Sequence, residues 1–159
     1  MYRTIIFLAA LAIAQPAMAQ TNISLGGLTA DPSAPVEIAA DSLTVDQDTG
    51  MAVFDGNVLI GQGDLKLSAA RVEVVYGEST GEIASLKAAG GVTFVTQTEA
   101  AEADQANYDL QTGQLTLIGN VLVTQGPSAI SAEEMQVNLQ TGNAQLTGRV
   151  RTTLQQGGN

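Results

Sequence analysis

Apolar and polar residues alternate with a period of two along most of the chain from residue 36 onward. The alternation is clear over residues 65–69 and 72–76, and it returns over residues 115–123 and 135–139. Such a period places successive side chains on opposite faces of a strand, so that one face is buried. No window of helical length shows a better i, i+3, i+4 pattern. The sequence therefore predicts an all-β protein.

A unit of about 30 residues recurs four times within this pattern, which is typical of stacked supersecondary units. Each unit has one strand, a Thr-Gly pair and a second strand that carries Gly-x-Val or Gly-Gly-Val. The Thr-Gly glycines are Gly50, Gly81, Gly113 and Gly142. The second glycine follows six residues later in three units, as Gly56, Gly119 and Gly148. The second unit has about three extra residues before Gly90 and Gly91, so an extra bulge or loop is predicted over residues 82–89.

The two recurring glycines predict two different backbone features. A glycine after threonine supplies the positive φ that a hairpin turn requires, and the polar residues before it cap the turn. A glycine within a strand usually marks a bulge or bend. Because that second glycine returns at the same place in each unit, the strands should all kink at one level. The stack would then fold along a crease into two facing sheets.

Asp48-Thr49-Gly50 resembles the active-site motif of an aspartic protease, and the spacing of Asp46, Asp48 and Gly50 resembles the start of a calcium loop. The corresponding positions in the other units are Ser79, Gln111 and Gln140, so Thr-Gly recurs and Asp-Thr-Gly does not. A protease dyad needs two carboxylates in a buried site, and a calcium loop needs a bidentate Glu at its twelfth position. The sequence favours a turn over both alternatives.

Composition narrows the possible functions further. The 159 residues include 16 acidic and 6 basic ones, which gives a formal net charge of −10. A nucleic-acid-binding surface needs a basic stripe, so that class is excluded. The chain has neither His nor Cys, which removes cysteine and serine–histidine nucleophiles and the common zinc sites. We predict no enzyme, no metal site and no cofactor.

The N-terminus predicts export from the cytoplasm. Arg3 precedes an apolar run over residues 5–14, and Ala17-Met18-Ala19 supplies a small-x-small cleavage pattern. This is typical of a signal peptide cut after Ala19, and the run is too short to span a bilayer. An uncleaved membrane anchor is the alternative. The predicted organisation is a signal peptide at 1–19, a flexible leader at 20–35, one β domain at 36–154 and a disordered tail at 155–159.

Three segments carry a resemblance to a known family. They are I-x-A-D-x-L at residues 38–43, TG-x-A-x-F-x-GNV at residues 49–58, and GD-x-x-L-x-A at residues 63–69. Together with the strand that follows at residues 71–76, they resemble the LptA/OstA-like family of periplasmic lipopolysaccharide-transport proteins. The resemblance covers about residues 36–154.

The resemblance implies a twisted, slightly open antiparallel β-jellyroll whose interior groove holds lipopolysaccharide (LPS) acyl chains. It also implies head-to-tail self-association and bridging to LptC-like inner-membrane and LptD-like outer-membrane jellyroll domains. Lipid A is the implied ligand. A structural or adhesin-type β-repeat with a closed core and no lipid remains the alternative, because small aliphatic side chains can either leave a slot or close it.

Parity along the strands assigns candidate residues to these roles. The interior candidates for acyl-chain contact are Ile38, Val45, Phe54, Val58, Ile60, Leu67, Val74, Phe94, Tyr108, Leu117 and Val121. Candidates for phosphate contact at the rim are Lys66 and Arg71. Candidates for edge pairing are Val36, Glu37 and Ile38 at the N-terminal edge, and Leu146 and Val150 at the C-terminal edge.

Overall fold

A computed structural model describes residues 31, 33–78 and 81–154, together with the backbone of residues 22–24. The described residues form a single antiparallel sheet of 11 strands, so the all-β prediction is confirmed. No helix long and apolar enough to cross a membrane occurs in these ranges. The predicted signal peptide and C-terminal tail lie outside the described residues.

The sheet is a meander in which each long strand pairs with its neighbours in sequence. In chain order the strands are β1 (Asn22–Ser24), β2 (Val36–Ala39), β3 (Ser42–Asp46), β4 (Met51–Gln62), β5 (Leu65–Tyr76), β6 (Ile83–Val95), β7 (Glu99–Asp109), β8 (Gln114–Gln125), β9 (Ser128–Asn138), β10 (Asn143–Thr147) and β11 (Arg151–Thr153). The spatial order is β1-β10-β9-β8-β7-β6-β5-β4-β2, with β3 also on β4 and β11 also on β9.

All the long strands bend at one level, as the recurring glycines predicted. Register shifts interrupt the ladders at Asp55–Val58 in β4, Ser68–Arg71 in β5, Ala89–Val92 in β6, Glu102–Gln105 in β7 and Ile118–Val121 in β8. In β5 the buried residues Ala69 and Val72 are three positions apart instead of two. One extra residue at the bend therefore changes which alternate positions along the strand point inward. We call this row of bends the crease.

The crease divides the strands into two sheets with a common core. Sheet 1 contains β1, β3, β10 and residues 51–55, 71–76, 83–89, 105–109, 114–118 and 134–138. Sheet 2 contains β2, β11 and residues 58–62, 65–68, 92–95, 99–102, 121–125 and 128–132. The buried apolar side chains of both sheets form one cluster, which means that the sheets face each other across it.

The same contact recurs along the crease and explains why glycine is needed there. Gly119 has φ +81°, and a Cβ atom at this position would collide with the Asp104 carboxylate on the next strand. Asn120 Nδ2 donates to that carboxylate over 2.9 Å. Asn57 Nδ2 donates in the same way to Asp41 over 2.8 Å. At these two bends an acidic side chain and a Gly-Asn pair on the neighbouring strand therefore fix the backbone.

Two of the bends use different chemistry. At β9–β10 the acceptor is Glu133, and Arg149 Nε lies 2.9 Å from its carboxylate. At β5–β6 the acid is replaced by Ala70, and Gly90 and Gly91 both have φ +83°. A Cβ at Gly90 would lie 2.6 Å from the Ala70 Cβ. The second unit thus keeps the close approach of the backbones but has no carboxylate at that position.

The hairpin turns show how the polar residues before Thr-Gly act. Asp46 Oδ1 accepts hydrogen bonds from the backbone N–H of Asp48 at 2.9 Å and of Thr49 at 3.2 Å. Asp109 and Asn138 accept the equivalent pairs of bonds in the later units. Gly50 then has φ +63°. The predicted turn is confirmed, and its cap is Asp46, while the protease-like Asp48 is exposed.

The long second unit forms a bulge rather than a loop. Val75 pairs with Ser85, and Tyr76 pairs with Ile83, so Ala84 is the extra residue. The strand β6 then continues without interruption to the crease. Within the segment predicted as a flexible leader, Asn22–Ser24 form the short strand β1.

Gly119→Ala should destabilise the fold by about 1–3 kcal/mol, because alanine must adopt positive φ and its Cβ displaces Asp104. Urea unfolding followed by circular dichroism measures the change. Gly61→Ala is the matched control, since Gly61 also lies in a long strand but has open space around it and no positive φ. An equal loss of stability in both variants would contradict the role assigned to the crease glycine.

The two turn hydrogen bonds, with the larger effect from Thr49, hold the pKa of Asp46 below its ordinary value of 3.8. The contribution of this turn to the stability of the fold is therefore complete above that value, and it is lost as the pH falls through the folded-state pKa. We expect the Tm difference between the wild type and Asp46→Ala to be largest at neutral pH and to shrink in acid. Asp48→Asn should leave the Tm profile unchanged, and a pH-independent difference for Asp46→Ala would contradict this account.

Candidate functional site

The inner faces of the two sheets contain nearly all the residues predicted to contact a lipid. Seven of the eleven candidates are only 0–6% exposed: Val58, Ile60, Leu67, Val74, Phe94, Leu117 and Val121. Three more, Ile38, Phe54 and Tyr108, are partly buried and pack against the core. These ten side chains share one interior, and their contact with a lipid stays a prediction. Their low exposure means that the middle of the interior is closed.

Val45 is the exception, and its position is informative. It pairs with the buried Ala52, and Leu43 pairs with Phe54, so both side chains lie on the inner face of sheet 1. They are nevertheless 59% and 53% exposed. The reason is that β3 is an edge strand and no described element covers its inner face. Val45 therefore lies on the inner face, where the strand alternation placed it, but is not enclosed there. Its contact with a lipid stays a prediction.

The apolar inner face therefore continues beyond the closed core and is open at one end. The neighbouring edge strand β2 differs, because Val36 and Ile38 are partly buried and pack against the core. We call the exposed inner face of β3, formed by Leu43 and Val45 beside Phe54, the β3 shelf. The alternation along a strand shows on which face a residue lies, but not whether another element covers that face. The sequence therefore placed Leu43 in a strand without identifying it as a candidate.

A cavity of about 570 Å³ lies where the strand ends of the two sheets meet, on the side away from the crease. Its lining comes from the start of β2, the end of β4 and three hairpin turns: Ala34, Pro35, Val36, Gln62, Gly81, Glu82, Ile83, Ala84, Tyr108, Leu110, Gln111, Leu139 and Gln140. Polar and apolar groups are mixed in this lining. The cavity is a mouth between the two sheets and not an enclosed chamber in the core.

Two side chains with polar groups line this mouth, of which Gln62 is buried and Tyr108 is partly buried. Gln62 is 5% exposed, and its Nε2 donates to the Ala34 carbonyl over 3.3 Å. Burial, followed by the negative charge of Asp109, raises the pKa of Tyr108 above its ordinary value. Sequence analysis missed Gln62, although it continues the inward parity of Val58 and Ile60 along β4.

The two candidate phosphate contacts lie away from the inner face. Lys66 alternates with the buried Leu65 and Leu67, so it is on the outer face of sheet 2. Arg71 is at the outer side of the crease, where its Nη1 lies 2.9 Å from Asp55 and its Nη2 lies 3.6 Å from Glu73. Their contact with phosphate stays a prediction.

The candidate edge residues occupy both ends of the sheet. Val36, Glu37 and Ile38 lie in β2, which pairs with β4 on one side. At the other end Leu146 lies in β10 and is buried, while Val150 lies between β10 and β11 and is exposed. The far side of β10 is partly occupied by β1. Edge pairing with another chain stays a prediction at both ends.

The described residues contain no group of three or more Asp, Glu, His or Cys side chains that could hold a metal ion. The acidic residues instead cap turns and fix the crease, as Asp46 and Asp104 do. The chemistry of the site is therefore that of an apolar surface with a polar mouth.

Comparison with known proteins agrees with this architecture. Residues 37–143 match the family described as LptA/(LptD N-terminal domain) LPS transport protein. The lipopolysaccharide export system protein LptA of Haemophilus influenzae is 29% identical over 128 residues, which cover 76% of this chain and 70% of that protein.

A solved structure shows the same fold. The crystal structure of LptH, the LptA-homologous periplasmic component of the lipopolysaccharide transport device of Pseudomonas aeruginosa, superposes with a TM-score of 0.72. The match covers 80% of this chain and 99% of that one at 19% sequence identity. The expected jellyroll fold, the family resemblance and the expectation of a non-enzymatic protein are confirmed. The chain belongs to the LptA/LptD N-terminal domain family of LPS transport proteins.

Proposed function

We propose that this protein is a periplasmic carrier that holds LPS acyl chains against the inner faces of its two sheets and passes them along a bridge of jellyroll domains. The observation that carries the proposal is the β3 shelf. Leu43 and Val45 continue the buried apolar face of sheet 1 into solvent. An acyl chain that covers this shelf removes apolar surface of both partners from water.

Acyl-chain burial supplies enough free energy for such a role. Each methylene removed from water contributes about 0.8 kcal/mol, so five or six methylenes supply roughly 4–5 kcal/mol before the cost of ordering the chain. The shelf is the natural first contact because its apolar groups are already exposed. Deeper burial among Phe94, Leu117 and Val121 requires the two sheets to separate, because these side chains are fully packed.

Charge favours binding through the tails rather than through the head group. LPS is anionic, and the protein has a formal net charge of −10. Arg71 and Arg149 are paired with carboxylates, which reduces what they can offer to phosphate. The phosphorylated sugars of lipid A would then remain in water, with Lys66 at most near the rim.

The proposed bridge uses the two edges of the sheet. An edge strand presents backbone N–H and C=O groups that can pair with another strand. In this protein β2 and β3 form the N-terminal edge, while β10 and β11 form the C-terminal edge. Joining these unlike edges gives a head-to-tail contact that does not close on itself. The partners would be further copies and the LptC-like and LptD-like jellyroll domains.

The location follows from the N-terminal sequence. Removal of residues 1–19 after Ala19 would release the domain into the periplasm, where such a bridge operates. Sequencing of the mature N-terminus tests this part of the proposal, and Gln20 is the expected first residue.

The closed middle of the core favours a second candidate, a structural β-repeat without a lipid ligand. Its side chains at 0–6% exposure form a packed interior that needs no ligand for stability. The two candidates differ in one respect that can be measured. A transport domain must expose apolar inner-face positions to LPS, whereas a structural repeat need not.

Photo-crosslinking distinguishes these candidates. A benzoylphenylalanine at Val45 or Phe54 should give LPS adducts in cells, because both positions lie on or beside the β3 shelf. Thr44 is the matched control, since it is on the same strand but faces the opposite side, paired with Val53. Adducts at Phe94 would show that the sheets separate. Absence of adducts at both Val45 and Phe54 in folded protein would favour the structural repeat.

Val45→Asp should weaken LPS binding by about tenfold, because a charge on the shelf must be desolvated when an acyl chain covers it. Thr44→Asp adds the same charge to the other face of β3 and should leave the affinity unchanged. Binding can be measured by titration with a fluorescently labelled LPS. Equal loss in both variants would point to charge repulsion of the head group and not to the shelf.

A further inference from the structure

The N-terminal segment of the chain pairs with the opposite end of the sheet. Strand β1 lies antiparallel to β10, with Asn22 opposite Gln145, Ile23 opposite Ala144, and Ser24 opposite Asn143. Its backbone thus occupies the outer side of β10, where the sheet would otherwise have a free edge. The sequence gives no sign of this pairing, because residues 20–35 have no sustained period and are far from β10 along the chain.

Only part of the C-terminal edge is covered in this way. Strands β10 and β11 lie on the same side of β9 and form one bent edge strand, split at the crease. Residues 143–145 of β10 face β1, whereas β11 is exposed throughout and has no other strand beside it among the described residues. At the N-terminal edge, β2 and β3 have no such cover in the described part of the chain.

We propose that β1 is an intramolecular cap on the C-terminal edge, and that the N-terminal edge strand of a second copy displaces it during assembly. The inference rests on the edge-to-edge assembly in the proposed function and adds a step that regulates this assembly. An uncovered pair of complementary edges would associate at any encounter. A cap held on the same chain competes with an incoming strand through its high effective concentration.

The lengths of the strands make displacement feasible. The cap contributes three residues to the ladder. The incoming edge offers four residues in β2 and five in β3. It can first pair with β11, which is uncovered, and then extend across the crease onto β10. Because the longer strand forms more backbone hydrogen bonds than the cap, the exchange favours assembly once a second copy is engaged.

A disulfide between β1 and β10 tests the cap directly. The chain has no cysteine, so the double variant Ser24→Cys/Asn143→Cys contains one designed pair at directly opposed positions. Oxidation should lock the cap and hold the protein as a monomer in sedimentation velocity. Reduction of the same sample should restore the assembly of the wild type, which makes each sample its own control.

Ile23→Pro tests the opposite direction, because proline lacks the N–H group and disfavours pairing in a ladder. We expect this variant to assemble at a concentration at least several-fold lower than the wild type, with an unchanged circular dichroism spectrum. Hydrogen exchange at residues 143–145 reports separately whether β1 has left β10.

The outcomes separate the cap from the assembly on which it depends. If the wild type assembles and the oxidised, reduced and Ile23→Pro proteins do so equally, the cap is overturned while edge-to-edge assembly stands. If no form assembles at any concentration, including Ile23→Pro, both the cap and edge-to-edge assembly are overturned. LPS crosslinking at Val45 remains a separate test of lipid binding. A failure of the disulfide to form in folded protein also overturns the cap.

Discussion

The close approach of neighbouring strands at the crease is the constraint on which the rest of the structure depends. At four points along the crease a glycine with positive φ leaves room for a side chain of the neighbouring segment, as Gly119 does for Asp104. The bend also adds residues that switch the inward parity, so apolar side chains on both sides of it face the same interior. Without the crease the strands would form one long sheet with its apolar residues on opposite faces. With it, Ala69 and Val72 both contribute to one core.

That arrangement gives the domain a closed middle and different ends. In the middle, both sheets are continuous and cover each other, so residues such as Phe94 are fully buried. At the ends the edge strands are short, and among the described residues β2, β3 and β11 each pair with a strand on one side only. On β3 this leaves Leu43 and Val45 uncovered on the inner face. The apolar surface and the unpaired backbone therefore occur together at the same edge, which is the combination that the proposed bridge requires.

The acidic composition is also explained by local roles rather than by a binding site. Asp46 and Asp109 cap hairpin turns, and Asp41, Asp104 and Glu133 fix the crease. These carboxylates lie on the outer surface, so the negative charge surrounds an apolar interior. In the proposed function an anionic lipid would be held through its tails, and the charge on the outside would not oppose burial of the tails inside.

The sequence by itself determined the strands, the positive-φ turns and the crease, because each depends on local preferences that repeat in every unit. Glycine conformation and two-residue periodicity are properties of short segments. The turn at Gly50, the bend at Gly119 and the inward direction of Val58 could therefore be predicted from the sequence. Whether an inward position is covered depends on strands distant in sequence. Only the tertiary structure therefore showed that Val45 is exposed, that Gln62 is buried at the mouth and that β1 lies on β10. These features depend on which elements meet across the sheet, and no local pattern encodes that.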